Sequence, residues 1–373
     1  MPTSPTHLNG AYPESTVPDW AARDPRVTIC RCREGGGRRS RSRFWFVSVL
    51  PSALLVSIVL SLITMGAASA RPDVDALLQR IGTVTPLEVI EFALFTLVAA
   101  VLLEPFQIGL VKLFEGYWGD SSLARALRDI GVEFHLRRRM RFEGLLDVVA
   151  VTPRDILRRE AAAEGLRLYP LERDRLMPTR LGNVLRSAED RAGQRYGLQT
   201  VTMWPLLYPS VSASLTEALD GLRDQLDVAV RLCVMLLVAA IVSAAMLATD
   251  GWWLGVPVAA VLLAWLAYRS AIRTGVAYGE AMGWAFDLHR FDMLTALHLP
   301  LPADMAQEEE FNQQLSDFFA IGDPIGGEPA THVYQHPSDH WSLDLPGVAT
   351  SDSERRAGRH LTPTQSVHAS KGS

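Results

Sequence analysis

The sequence predicts an all-α membrane protein with four transmembrane helices, a mostly helical cytoplasmic insertion and a helical stalk. Three observations carry that prediction. Four stretches are apolar enough and long enough to cross a bilayer: residues 44–66, 89–113, 228–248 and 252–268. The last two are separated only by Thr249-Asp250-Gly251, which leaves room for a turn and nothing more. Basic residues within about 20 positions of each span fall thirteen on one side and two on the other, the asymmetry expected when the basic side is cytoplasmic.

The third run, Val228–Ala248, has 21 residues, interrupted by Arg231. At 1.5 Å per residue it reaches roughly 31 Å, the thickness of a hydrocarbon core. The fourth, Trp252–Tyr268, has 17 and sits at the short end of what spans. A water-soluble hairpin needs a polar stripe on each helix, and these two have none.

Of the 373 residues, 48% are hydrophobic, which suits a membrane protein carrying sizeable soluble segments. Lys112 and Lys371 are the only lysines among 36 basic residues, a usage that fits a GC-rich bacterial genome and an inner-membrane location. The net charge of −5 argues against a nucleic-acid partner. Cys30, Cys32 and Cys233 are too few for a disulfide framework, and the Cys30-Arg31-Cys32 pair lacks a second pair of zinc ligands. No cofactor or metal site is expected.

Residues 1–43 hold eight arginines among Pro, Ser, Thr and Gly, without periodicity, and read as a disordered basic tail. The first span follows, with Phe44, Trp45 and Phe46 where an interfacial aromatic belt belongs. Ala68-Ser69-Ala70 has the form of a signal-peptidase site, but the preceding apolar run is longer than a signal h-region, so a retained anchor is expected. Residues 67–88 then form a short external loop. The second span carries Glu91 near its outer end and Glu104-Pro105-Phe106-Gln107 near its inner end, and Tyr117 and Trp118 mark an interface after it.

The insertion, residues 114–227, is close to neutral. Ser121–Glu143 reads as a long charged helix. Thr152-Pro153-Arg154-Asp155 is a helix start with Thr at N-cap, Pro at N1 and an acid at N3. Thr179 caps a further helix over 180–196, stopped by Gly197. Residues 148–151, 166–169 and 200–204 are short apolar runs compatible with strands, and periodicity alone does not decide. Ser214-Leu215-Thr216-Glu217 has capping-box form and opens a helix that runs into the third span. Beyond the fourth span the helix continues as a stalk over 269–299, and residues 300–373, with Glu308-Glu309-Glu310 and a Ser/Pro/Gly/His-rich remainder, read as a disordered tail.

Candidate functional residues are few. Glu104, with Gln107 one turn on, is an ionisable group inside a span, a functional hypothesis by default; the competing account has Glu104 reaching headgroup water beside a Pro105 kink. Arg137, Arg138, Arg139 and Arg141 are candidates for contact with anionic lipid, or form a solvated helix face. Ala271, Gly275, Gly279 and Gly283 recur every fourth position and make a small ridge, expected to pack against the helix over 214–227. His289 and Asp292 share a helix face, whereas Asp287 does not join them. His332, His336 and His340 have helical spacing for a metal, but Pro337 breaks that helix.

Phe114-Glu115-Gly116-Tyr117-Trp118 and Pro178-Thr179-Arg180-Leu181-Gly182-Asn183, with Arg195-Tyr196-Gly197 and Trp204-Pro205, resemble a group of uncharacterised multi-span membrane proteins from high-GC actinobacteria, over about residues 90–300. The resemblance supports the topology and brings no activity with it. The expected function is a membrane-anchored interaction or signalling scaffold that binds a protein partner through the insertion. The alternative is a subunit of a homo-oligomeric transporter or channel using Glu104. No nucleophile elbow, phosphate loop, zincin or dinucleotide signature favours an enzyme.

Overall fold

The computed structural model describes residues 49–67, 72–149, 151–249, 251–321 and 334–335. The basic tail, Phe44 to Phe46, Ala68 to Ala70 and the histidines 332, 336 and 340 lie outside the described residues. All described helices belong to a unit ending at His332; of the unit beginning at Val333, only Tyr334 and Gln335 are described. The fold is all-helical, with no strand among the described residues.

α1 (Leu50–Thr64) is a short apolar helix, followed by α2 (Val74–Gly82), capped by Asp73. The stretch over 67–88 therefore holds a helix as well as a loop. α3 (Pro86–Leu103) opens on a capping box in which Thr85 and Glu88 exchange hydrogen bonds. At Pro105 the helix tightens into a 3₁₀ turn, Glu104–Phe106, before α4 (Gln107–Glu115) resumes. A proline cannot donate to the i−4 carbonyl, so the turn sits where the sequence expects a kink.

α5 (Ser122–Asp147) is capped by Ser121 and α6 (Pro153–Arg167) by the Thr152/Asp155 capping box. α7 (Arg180–Arg191) is capped by Thr179 and followed by a 3₁₀ turn that ends at left-handed Gly197. α8 (Thr200–Leu207) is a helix where the sequence allowed a strand; Thr200, Met203, Trp204 and Leu207 are buried, so the apolar run reflects burial, which carries no strand period. The run over 166–169 likewise begins inside α6 and leaves it through a turn.

α9 (Ala213–Met246) and α10 (Gly255–Ala296) are the two long helices, with 34 and 42 residues. α9 starts after Ser212, two residues earlier than the Ser214 box predicts. The two helices pack antiparallel along most of their length. At one end Leu247 meets Trp253 and Val256; further on, Cys233 and Leu236 meet Ala264 and Ala267; then Ala229 and Val230 meet Ala271 and Ile272. α3–α4, α9 and α10 are long and apolar enough to cross a membrane. α1 is apolar but shorter, and packs on α9 and α3 with Leu62 against Leu247.

α11 (Met305–Ile321) is a helix within the stretch 300–373 expected to be a disordered tail; residues 322–333 and 336–373 of that stretch lie outside the described residues. The acidic run does not keep the segment unfolded, because Glu308 turns inward and pairs with Arg290 at 2.6 Å, leaving Glu309 and Glu310 outside. Leu315 enters the largest core beside Trp204, Phe286, Met293 and Leu294. Asn312 donates to the Tyr196 carbonyl and Ser316 accepts from the Gln199 amide. Full burial of a leucine contributes roughly 1.5–3 kcal/mol, so α11 is held by its apolar face as well as by these bonds.

Candidate functional site

The Phe114–Trp118 and Pro178–Asn183 motifs interlock where α4, α7 and α10 meet. The Thr179 hydroxyl donates to the carbonyls of Phe114 (2.6 Å) and Glu115 (3.0 Å) while it caps α7. Close backbone approach explains both glycines. A Cβ on Gly116 would stand 2.4 Å from the Pro178 ring, and one on Gly182 would stand 2.0 Å from the Glu115 carbonyl oxygen. Gly116 also has φ +108°, where a side chain is strained. Asn183 closes the loop by accepting from the Met177 amide and donating to the Met177 and Thr179 carbonyls. The Tyr268 hydroxyl, at the end of the fourth apolar run, accepts from the Leu181 amide at 3.3 Å.

Just beyond this joint lies the first group of candidate residues. Arg231, fully buried in α9, points both terminal nitrogens at Glu104 Oε2, each at 3.4 Å, while the Glu104 side chain is 53% exposed. Gln107 donates to the Asp227 carbonyl at 3.3 Å. Glu104 and Gln107 are thus brought to one helix, α9. The sequence showed Arg231 only as an interruption; its partner lies 127 positions away, beyond the reach of any local pattern.

The small ridge packs against a different helix from the one expected. A Cβ on Gly275 would touch Leu181, Val184 and Leu185, and one on Gly279 would come 2.5 Å from the Ala188 Cβ. The partner is therefore α7, whereas the expected partner, the 214–227 segment of α9, is not what the glycines face. Ala271 is buried in the same line between α7 and α9. Gly283 departs from the pattern: a Cβ there meets nothing within 4 Å.

What Gly283 faces is a cleft of about 1240 Å³, floored by Gly275, Gly279 and Gly283 and walled by α5, α6 and α7. Five arginines line it: Arg138, Arg167, Arg180, Arg191 and Arg195. Its carboxylates are Glu164, Glu280, Asp287 and Glu309; Asp287 accepts from the Tyr196 hydroxyl at 2.6 Å. Burial, followed by the repulsion of Arg138, holds the Arg180 guanidinium below its ordinary value, and Arg269 adds to the effect. Burial also lowers Arg191, against the opposing pull of Asp190. Behind Arg138, His135 Nδ1 lies 3.0 Å from the Tyr169 hydroxyl. Burial, then Arg138 and Arg180, push His135 down to about 4, so it is neutral near pH 7.

The four arginines singled out in α5 do not act as one face. Arg137 and Arg141 are exposed, with Arg137 bonded to Glu133. Arg139 is buried, donating to Glu143 (2.9 Å) and to the Leu171 carbonyl (2.7 Å), so it is a structural brace and neither a lipid contact nor a solvated side chain. Only Arg138 turns into the cleft, with its guanidinium 5.7 Å from the Phe142 ring centre. His289 and Asp292 pair locally at 2.8 Å, as their spacing implies. Chemically the cleft offers a concentration of positive charge over an uncluttered glycine floor.

Comparison of the chain with protein-family models, with curated proteins and with solved structures gives no match.

Proposed function

We propose that this protein is a membrane-anchored scaffold whose α5–α6 hairpin docks a protein partner on the cytoplasmic side. The observation that carries the reading is an uncovered apolar stripe along α5. Leu123, Leu127, Ile130 and Phe134 follow helical spacing and are 69%, 48%, 67% and 59% exposed. The hairpin tip adds Val149 and Val151, at 78% and 83%. Patches of this kind on a folded surface mark interaction sites, and i, i+4, i+7, i+11 anchors suit a helix-to-helix contact.

The four-span topology, with both termini inside the inner membrane of a bacterium, belongs to the same proposal. Supporting it, α1 packs on α9 and α3 beside the three longer apolar helices. The ends assigned to the outside, of α1 and α9 and the start of α10, also meet in one cluster around Leu247. Site-specific photo-crosslinking from Phe134 in native membranes tests the docking face. A discrete protein adduct, lost on Ile130→Glu, is expected; adducts to lipid alone would give the stripe to the bilayer surface instead.

One observation favours a second reading, the oligomeric transporter or channel: the ion pair between buried Arg231 and half-exposed Glu104 within otherwise apolar helices. It ranks lower because the polar groups beside it, Gln107 and Asp227, stay within about one turn of the pair. Glu104→Gln abolishing a transport phenotype at normal expression would reverse the ranking.

A further inference from the structure

We propose that the end of the cleft between Arg138 and Arg180 binds a phosphate group, with Arg269 beside it at the membrane surface. Two features carry this beyond docking. First, neither Arg138 nor Arg180, nor Arg167 further along, has a carboxylate within ion-pair distance among the described residues, although Arg128, Arg139, Arg173, Arg175, Arg186 and Arg290 all do. Arg138 and Arg180 line the same cleft and repel each other across it. Like charges held together at a partly buried wall are costly unless an anion lies between them. The cleft's four carboxylates do not pair with them: Glu164 and Glu280 form no ion pair among the described residues, Asp287 is engaged by Tyr196, and Glu309 lies on α11.

Second, the cleft has room: it holds about 1240 Å³ between α5, α6, α7 and α10. A phosphate between two guanidinium groups accepts charge-assisted bonds from both, a geometry to which arginine is suited.

The phosphate has two sources of the same chemistry, a phospholipid headgroup or a soluble phosphate compound. The lipid source rests on the topology proposed above, since it needs Tyr268 and Arg269 at the inner leaflet; the binding measurement itself does not. The full chain in neutral detergent is titrated with dioctanoyl phosphatidylglycerol, with dioctanoylglycerol as the uncharged control, and with inorganic pyrophosphate against sodium chloride of equal ionic strength. A ligand that binds only the folded state raises the melting temperature with its concentration. A saturable rise with phosphatidylglycerol alone assigns a headgroup, and a rise with pyrophosphate assigns a soluble ligand.

In either case Arg138→Gln and Arg180→Gln each weaken the apparent affinity about tenfold or more, the loss expected for one charged hydrogen bond. Arg137→Gln, exposed on the same helix, leaves it unchanged. Should Arg180→Gln disturb the start of α7, Arg138→Gln decides alone, because Arg138 braces nothing but the Phe142 ring. No rise with either ligand, or an equal rise in Arg137→Gln and Arg138→Gln, overturns the proposal. Reporter fusions that place residue 160 outside would overturn the topology and leave the soluble-ligand result intact.

Discussion

Arg231 and Glu104 form an ion pair whose two halves lie in different surroundings: the guanidinium is fully buried and the carboxylate is half exposed, with 3.4 Å between them. Losing either half therefore has unequal consequences. Without Glu104 a buried cation remains; without Arg231 the carboxylate still reaches the outside. Glu104→Ala is expected to cost about 1–3 kcal/mol, the penalty for removing one charged partner from a buried guanidinium that keeps Asp227 nearby. Arg231→Met, which fills the space with an apolar chain, is expected to be close to neutral or stabilising. Melting temperatures in detergent check the order; equal losses would mean that the pair acts as one structural unit. Glu104→Gln, which keeps an acceptor, should fold and insert.

The glycines of α10 separate packing from propensity. Gly279→Ala drives a methyl group to 2.5 Å from the Ala188 Cβ, which cannot move without its helix. A loss of about 1–3 kcal/mol is expected, restored in part by Ala188→Gly. At Gly283 the same substitution meets open space and recovers up to about 1 kcal/mol of helix propensity. Opposite signs at neighbouring positions of the ridge are the expected result.

Acidification should loosen the α5–α7 region through His135. Its folded value, about 4, lies below the ordinary 6.5, so the unfolded chain takes up the proton first. Stability is full above pH 6.5 and falls as the pH drops from there towards 4, by up to about 1.4 kcal/mol per pH unit. His135→Gln should flatten that part of the stability profile. An unchanged slope would assign the acid sensitivity elsewhere.

Reporter fusions test the arrangement of the chain across the membrane. Fusions after Gly82 and Asp250 are expected outside, and fusions after Glu160 and Ser316 inside. The intact mass is expected to include residues 1–70, because α1 packs on α9 and α3 as a resident helix does. A mature protein beginning after Ala70 would leave three spans.

The segment after Pro302 is expected to be needed for the fold. Leu315→Ala, at a side chain 1% exposed, should cost about 2–5 kcal/mol. Truncation at residue 303 should lower the melting temperature further by uncovering Trp204 and Phe286. A truncated chain with unchanged stability would refute the docking of α11.

These cases divide by the range of the interaction. The caps at Thr152 and Thr179 could be read from the sequence because donor and acceptor lie within four residues. The ridge announced a close approach, but spacing along one helix does not name its partner, and α7 took the place expected for α9. Glu308 read as part of a solvated acidic run because Arg290, which draws it inward, lies 18 positions earlier. Arg231 and Glu104 are each visible as exceptions in apolar runs; only the fold makes them a pair. The cleft arginines come from three helices and a 3₁₀ turn, and nothing in their separate neighbourhoods shows that they converge.

α10 runs unbroken from Gly255 to Ala296, and α7, α8 and α11 all rest on the part beyond Tyr268. That part, 28 residues from Arg269 to Ala296, measures about 42 Å at 1.5 Å per residue. This makes the part of α10 beyond Tyr268 a lever. A change of ten degrees in its tilt would swing the far end by about 7 Å on that length. Because α7, α8 and α11 ride on that part, a tilt of this one helix is passed to all three as displacement.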